Sequence, residues 1–239
     1  MMPASPADIH HTIAQGKTLP RPRAILFDWD NTLADTWPII HAALHATFTA
    51  MGREPWSLEE VQAGRDGIHH SLRDSFPRIF GENWPKAREI YYQHFLENHL
   101  TMIQKLPGAD AIIETLADTN IYLGVVSNKT GIHLRKEVAH LGWEPHFHKV
   151  VGATDAESDK PSAAPVHLVL EGSGITPGQD VWLIGDSETD YQCAQNAGIR
   201  AIIYNNPALS TRLCGERPGL DLHHVSDHDA LLKIVRGFL

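Results

Sequence analysis

Two carboxylates separated by one residue, with a hydroxyl close behind, stand in Asp28-Trp-Asp30-Asn-Thr32. That trio suits attack on phosphorus through an acyl-phosphate, with a nucleophile, an acid/base partner and a foothold for a metal. The same residue types also make turns, so a solvated loop would look alike. What separates the two readings is whether complementary groups appear elsewhere. Three further polar clusters offer them: Ser127-Asn128-Lys129-Thr130, Lys160-Pro161, and Gly185-Asp186-Ser-Glu-Thr-Asp190.

These groups need elements that bring them together. The apolar run over 24–27 reads as a buried strand, so Asp28 falls at its carboxyl end, where open α/β sheets bind ligands. Strands over 121–126 and 181–184 end at Ser127 and Gly185 in the same way. Shorter strands are expected near 150–151 and over 200–203. Helices over 109–118, 131–141, 163–172 and 191–197 alternate with them, which implies a mostly parallel sheet covered on both faces. In such a sheet the three polar clusters emerge at one edge. Between 35 and 105 no strand is evident. Ile40, Ala43, Leu44, Thr47, Phe48 and Met51 form a helical stripe stopped by Gly52, and further helical patterns follow around 58–63, 68–80 and 86–103. The expected division is a leader over 1–22, an α/β core over 23–35 and 107–239, and an all-helical insert over 36–106. Ser226 and Asp229 have the spacing of a capping box for the last helix.

In order along the chain, Asp28-x-Asp30-x-Thr32, Ser127-Asn128-Lys129, Lys160-Pro161 and Gly185-Asp186-x-x-x-Asp190 resemble the four motifs of the haloacid dehalogenase (HAD) superfamily. With its helical insert after the first motif, the chain is similar to phosphoglycolate phosphatase-like members. The resemblance implies a Rossmann-like core with a helical cap, and a role for each residue. Asp28 would be the nucleophile. Asp30 would act as acid and then base, lending a metal only its backbone carbonyl. Thr32 and the Asn128 N–H would touch substrate, and Ser127 would donate to a phosphoryl oxygen. Lys160 would neutralise charge, Asp186 would bind the metal, and Asp190 would hold a metal-bound water or Lys160. A carboxylate at position 30 favours phosphoryl transfer over dehalogenation, since a departing halide needs no proton. Asn31 and Ala163 depart from the pattern, where many relatives carry Gly and Pro; neither change removes a reacting group.

Charge arithmetic calls for a cation. Four carboxylates at one sheet edge repel, each close pair by roughly 1 kcal/mol in water or ~4 at an effective dielectric of about 20. A phosphate dianion adds to that field. Oxygen ligands and a phosphate substrate favour Mg²⁺ over Zn²⁺. The insert would close as a lid and carry substrate-reading side chains. Arg65 and His69, in the glycine-flanked Gly64-Arg-Asp-Gly67-Ile-His-His70, are the candidates, with Arg73 and Arg78 behind them; a plain inter-helix loop would read the same. Trp29 is the tryptophan expected to touch the site. The 16 histidines show no zinc-type spacing.

A net charge of −9 argues against a nucleic-acid backbone as partner. No apolar run approaches the ~20 residues that span a bilayer. Two cysteines are too few for a disulfide framework, and the polar leader lacks the apolar core of a secretory signal. The expectation is a cytoplasmic Mg²⁺-dependent phosphatase of a small phosphorylated metabolite, with 2-phosphoglycolate first in line. A nucleotide or sugar phosphate, a mutase of the β-phosphoglucomutase kind, and a silent binding fold are the competing readings. Monomer and homodimer stay equally open.

Overall fold

A computed structural model describes residues 19–68 and 71–239. In chain order, β1 (Ala24–Phe27) and β2 (Ala34–Asp35) lead into helices α1 (Trp37–Ala50), α2 (Leu58–Gln62), α3 (Leu72–Phe80) and α4 (Trp84–Met102). Then follow β3 (Gln104–Lys105), α5 (Ala109–Ala117), β4 (Tyr122–Thr130), α6 (Gly131–His140), β5 (Lys149–Ala153) and α7 (Ala164–Leu170). The chain finishes with β6 (Val181–Gly185), α8 (Glu188–Asn196), β7 (Arg200–Tyr204), α9 (Pro207–Glu216), β8 (His223–Val225) and α10 (His228–Arg236).

Six parallel strands form one sheet in the order β5-β4-β1-β6-β7-β8. β1 lies between β4 and β6, which explains why all four of its residues are apolar and buried. Its side chains alternate between two cores. Ile25 and Phe27 join Ile112, Ile113, Trp182 and Leu231 on one face, while Ala24 and Leu26 join Val169, Leu183 and Ala194 on the other. The first of these cores runs on without a break into Phe48, Phe76, Tyr91 and Phe95 of the helical segment between β2 and β3. That segment is therefore packed against the sheet's own core. No helix among the described residues is long and apolar enough to cross a membrane.

Several elements differ from the sequence expectation, each for a local reason. β4 does not stop at Val126. It continues through the polar Ser127–Thr130 after a register break and pairs Thr130 with Ala153. β2 and β3 form a two-residue antiparallel pair that joins the exit and return of the helical segment, too short for any periodicity to mark. α9 and β8 were not expected either, since β8 is a short edge strand holding two histidines. The cap of α10 is Asp227, whose side chain accepts the Ala230 N–H at 2.7 Å. Ser226 donates to Asp227 instead of capping the helix. α8 begins at Glu188, where Ser187 and Asp190 form the capping box.

Candidate active site

The register that buries β1 also aims its end. Asp28 N–H donates to the Ile184 carbonyl at 2.8 Å, so the nucleophile candidate stays in line with β6. The neighbouring ends of β4 and β6 then place Ser127 and Asp186 on either side of it. Lys160, from the loop after β5, is 3 % exposed and donates to Asp28 Oδ1 and Asp190 Oδ1, each at 2.6 Å. The other oxygen of Asp190 accepts from Ser187 N–H and Oγ–H at 3.1 and 2.6 Å. Gly185 makes room for this arrangement, because a Cβ there would lie 2.3 Å from Asp190 Cγ. Asn31 takes the positive φ of 60° that the turn between Asp30 and Thr32 requires. Asn tolerates that region, so the departure from Gly leaves the loop intact.

Carboxylate oxygens of Asp28, Asp186 and Asp190 all lie within 4.8 Å of one another. Burial and then the Asp190 charge push Asp28 up to about 7, although Lys160 pulls the other way. Burial and then the Asp28 and Asp190 charges hold Asp186 well above the carboxylate range. One buried lysine therefore does not balance the cluster. Both oxygens of Asp190 are taken by protein donors, whereas Asp28 keeps one free of Lys160. Asp28 and Asp186 accordingly fit a hard divalent cation, with Asp190 holding the lysine.

Asp30 stands apart from that trio. Its carboxylate pairs with Lys129 at 2.6 Å and lines the cavity above Asp28. Lys129 also donates to Glu137 at 2.7 Å. Glu137 is fully buried in α6, and it also accepts from Trp29 Nε1 at 2.7 Å and bonds His99 Nδ1 of α4 at 2.9 Å. Burial alone would raise the Glu137 carboxyl, but Lys129 and the His99 and Trp29 donors hold it below the usual range. Burial would lower Lys129, and the Asp30 and Glu137 charges outweigh it to hold the ammonium above its ordinary value. This chain of groups was missed in the sequence. The signal was there: Glu137 follows Leu134 on the buried face of α6, and His99 follows Tyr91 and Phe95 on that of α4.

The cavity has a volume of about 130 Å³. Asp28, Asp30, Ser127, Asn128, Lys160 and Asp186 form its polar floor, and Trp37, Ile40, Leu44, Ile68, Leu72 and Phe95 supply apolar walls. Ser127 is buried and accepts the Lys129 N–H at 3.1 Å, which leaves its own proton for another acceptor. The Asn128 amide ties the Lys160 carbonyl at 3.0 Å. Three expectations need correction. Thr32 is completely buried and is not on the cavity wall. Arg65 also lies off the wall, paired with Glu60 and 5.0 Å over the Trp56 ring, since the nearest carboxylate and aromatic face capture a half-exposed guanidinium. Trp29 points away from the cavity, edge-on to Trp143. His69 lies outside the described residues. Arg73 crosses from α3 to Asp159, beside Lys160, at 2.9 Å.

A sequence model of the haloacid dehalogenase-like hydrolases matches residues 25–204. The chain is 26% identical over 219 residues to a phosphoglycolate phosphatase of Rhodobacter capsulatus, covering 90% of this chain and 97% of that one. It is 28% identical over 186 residues to a phosphoglycolate phosphatase of Aquifex aeolicus, covering 76% and 84%. Among solved structures, a HAD-superfamily hydrolase from Ehrlichia chaffeensis superposes with a TM-score of 0.62 at 27% identity, covering 91% and 98%.

Proposed function

The chain belongs to the haloacid dehalogenase-like hydrolase family, and we propose that it is a Mg²⁺-dependent phosphatase that hydrolyses a small phosphomonoester through an aspartyl-phosphate on Asp28. One observation carries this reading. A buried carboxylate at the end of β1 meets Lys160 and Asp186 in a cavity that Ser127 also lines, while a second carboxylate, Asp30, lines the same cavity with its side chain clear of the cluster.

The steps follow from those positions. Asp28 attacks phosphorus with one carboxylate oxygen, and the bond from phosphorus to the alcohol oxygen breaks as Asp30 hands that oxygen a proton. Lys160 and the Ser127 hydroxyl neutralise charge on the phosphoryl oxygens. Asp30, now a carboxylate, takes a proton from a water that attacks phosphorus. The bond to Asp28 breaks, and phosphate leaves with the nucleophile restored. Bound by Asp28, Asp186 and the Asp30 carbonyl, Mg²⁺ would offset carboxylate charge and polarise the phosphoryl group. The helices over the cavity keep other water out and give the alcohol an apolar wall.

The relatives named above make 2-phosphoglycolate the first substrate to try. The test is phosphate release from 2-phosphoglycolate, sugar phosphates, nucleotides and phenyl phosphate with added Mg²⁺. Release from at least one, abolished in Asp28→Asn, is expected. Isomerisation of a sugar phosphate without phosphate release would make the enzyme a mutase, and no turnover of any phosphomonoester would remove the proposal.

A further inference from the structure

The buried Glu137 has no part in the steps above, yet its two oxygens reach three different elements. One oxygen accepts from Trp29, the residue between Asp28 and Asp30, and from Lys129 at the end of β4, both at 2.7 Å. The other meets His99 on α4 of the helical segment at 2.9 Å. Glu137 and His99 are 0 % and 2 % exposed, so water does not compete for these bonds. Lys129 in turn sits 2.6 Å from Asp30. A lysine on a four-carbon stem is held in one place only by its partners. Here Glu137 fixes the ammonium that fixes Asp30, and through Trp29 it holds the loop carrying both catalytic carboxylates.

We propose that Glu137 is a positioning residue for Asp30, acting through Lys129 and Trp29 and linked to the helical segment by His99. The inference rests on Asp30 being the acid/base group of the proposed phosphatase. Its consequence is specific, because proton delivery to the leaving alcohol tolerates little misplacement. An alkyl phosphate needs that proton, whereas p-nitrophenyl phosphate expels a stable phenolate without it.

The test measures single-turnover release of the alcohol from an alkyl phosphate substrate and from p-nitrophenyl phosphate, in the full-length enzyme with Mg²⁺. Glu137→Gln should slow the alkyl phosphate by about tenfold or more while changing the aryl phosphate several-fold less. In an Asp30→Asn background the ratio of the two rates is already shifted, and adding Glu137→Gln should leave it there, since coupled residues are not additive. Trp29→Phe removes only the indole N–H and should move the ratio in the same direction by less; it serves alone where Glu137→Gln does not fold. Equal slowing of both substrates, or full additivity with Asp30→Asn, overturns the positioning role. A wild-type rate for Asp30→Asn on the alkyl phosphate would instead overturn the acid/base reading beneath it.

Discussion

Lys160→Met removes one ammonium and keeps a side chain of similar length. In the folded protein that ammonium touches Asp28 and Asp190 at 2.6 Å each and is 3 % exposed. At that separation each contact is worth ~6 kcal/mol at an effective dielectric of about 20, and relief of the lysine's own desolvation offsets much of the two. Removal of one partner from a buried pair costs about 3–5 kcal/mol, and that range is expected here. The loss should be larger at pH 8 than at pH 5, because at acid pH the stranded Asp28 takes up a proton and ceases to repel its neighbours. Urea denaturation in chelator at both pH values measures this directly. Mg²⁺ should restore part of the stability at pH 8 by replacing the missing positive charge. Turnover should fall by about 10²–10³, the usual cost of losing one fixed charge at a reacting group. A stability loss below ~1 kcal/mol, typical of a surface pair, or one independent of pH, would refute the reasoning.

Three other outcomes are expected. In the metal-free protein, Asp28 is raised to about 7 from an ordinary 3.8, so the folded chain holds a proton that the unfolded chain has released. Stability in chelator should therefore fall as pH rises from about 4 to about 7; thermal melting across that range checks it, and Mg²⁺ should raise the melting temperature more above pH 7 than below pH 5. Gly185→Ala would place a Cβ 2.3 Å from Asp190 Cγ, displacing the carboxylate from Ser187 and Lys160. It should cost at least about 2 kcal/mol and most of the activity, by denaturation and phosphate release. Arg65→Ala should change KM little, because its guanidinium is held by Glu60 off the cavity wall; a large rise in KM would show that the helical segment re-aims Arg65 when substrate binds.

Much of the site was legible because its signal is local. An apolar run followed by acids, a hydroxyl or an amide marks a strand end, and three such ends become neighbours once the strands lie parallel. Ser127–Thr130 misled for the opposite reason: polar residues read as the end of the strand, although they continue β4 past a register break to pair Thr130 with Ala153. The β2–β3 pair and β8 carry too few residues for alternation to show. Trp29 was placed by its neighbours in sequence, yet successive side chains leave a backbone in different directions, and its indole reaches Glu137. Arg65 was placed by its glycine-flanked loop, a setting that says nothing about the carboxylate that captures a cation. Glu137 and His99 were visible as polar residues on buried helix faces, but only the packing of α6 on α4 shows that they meet each other and Lys129.

The most direct measurement is phosphoryl trapping in Asp30→Asn with p-nitrophenyl phosphate and Mg²⁺. That leaving group needs no proton, and the variant lacks the base that would discharge the intermediate. A stoichiometric burst of p-nitrophenol is expected, together with a phosphoryl group on the peptide that carries Asp28, found by acid quench and peptide mapping. A burst that leaves the phosphoryl group on another residue, or steady release of phosphate with an unmodified Asp28, would contradict covalent catalysis at the end of β1.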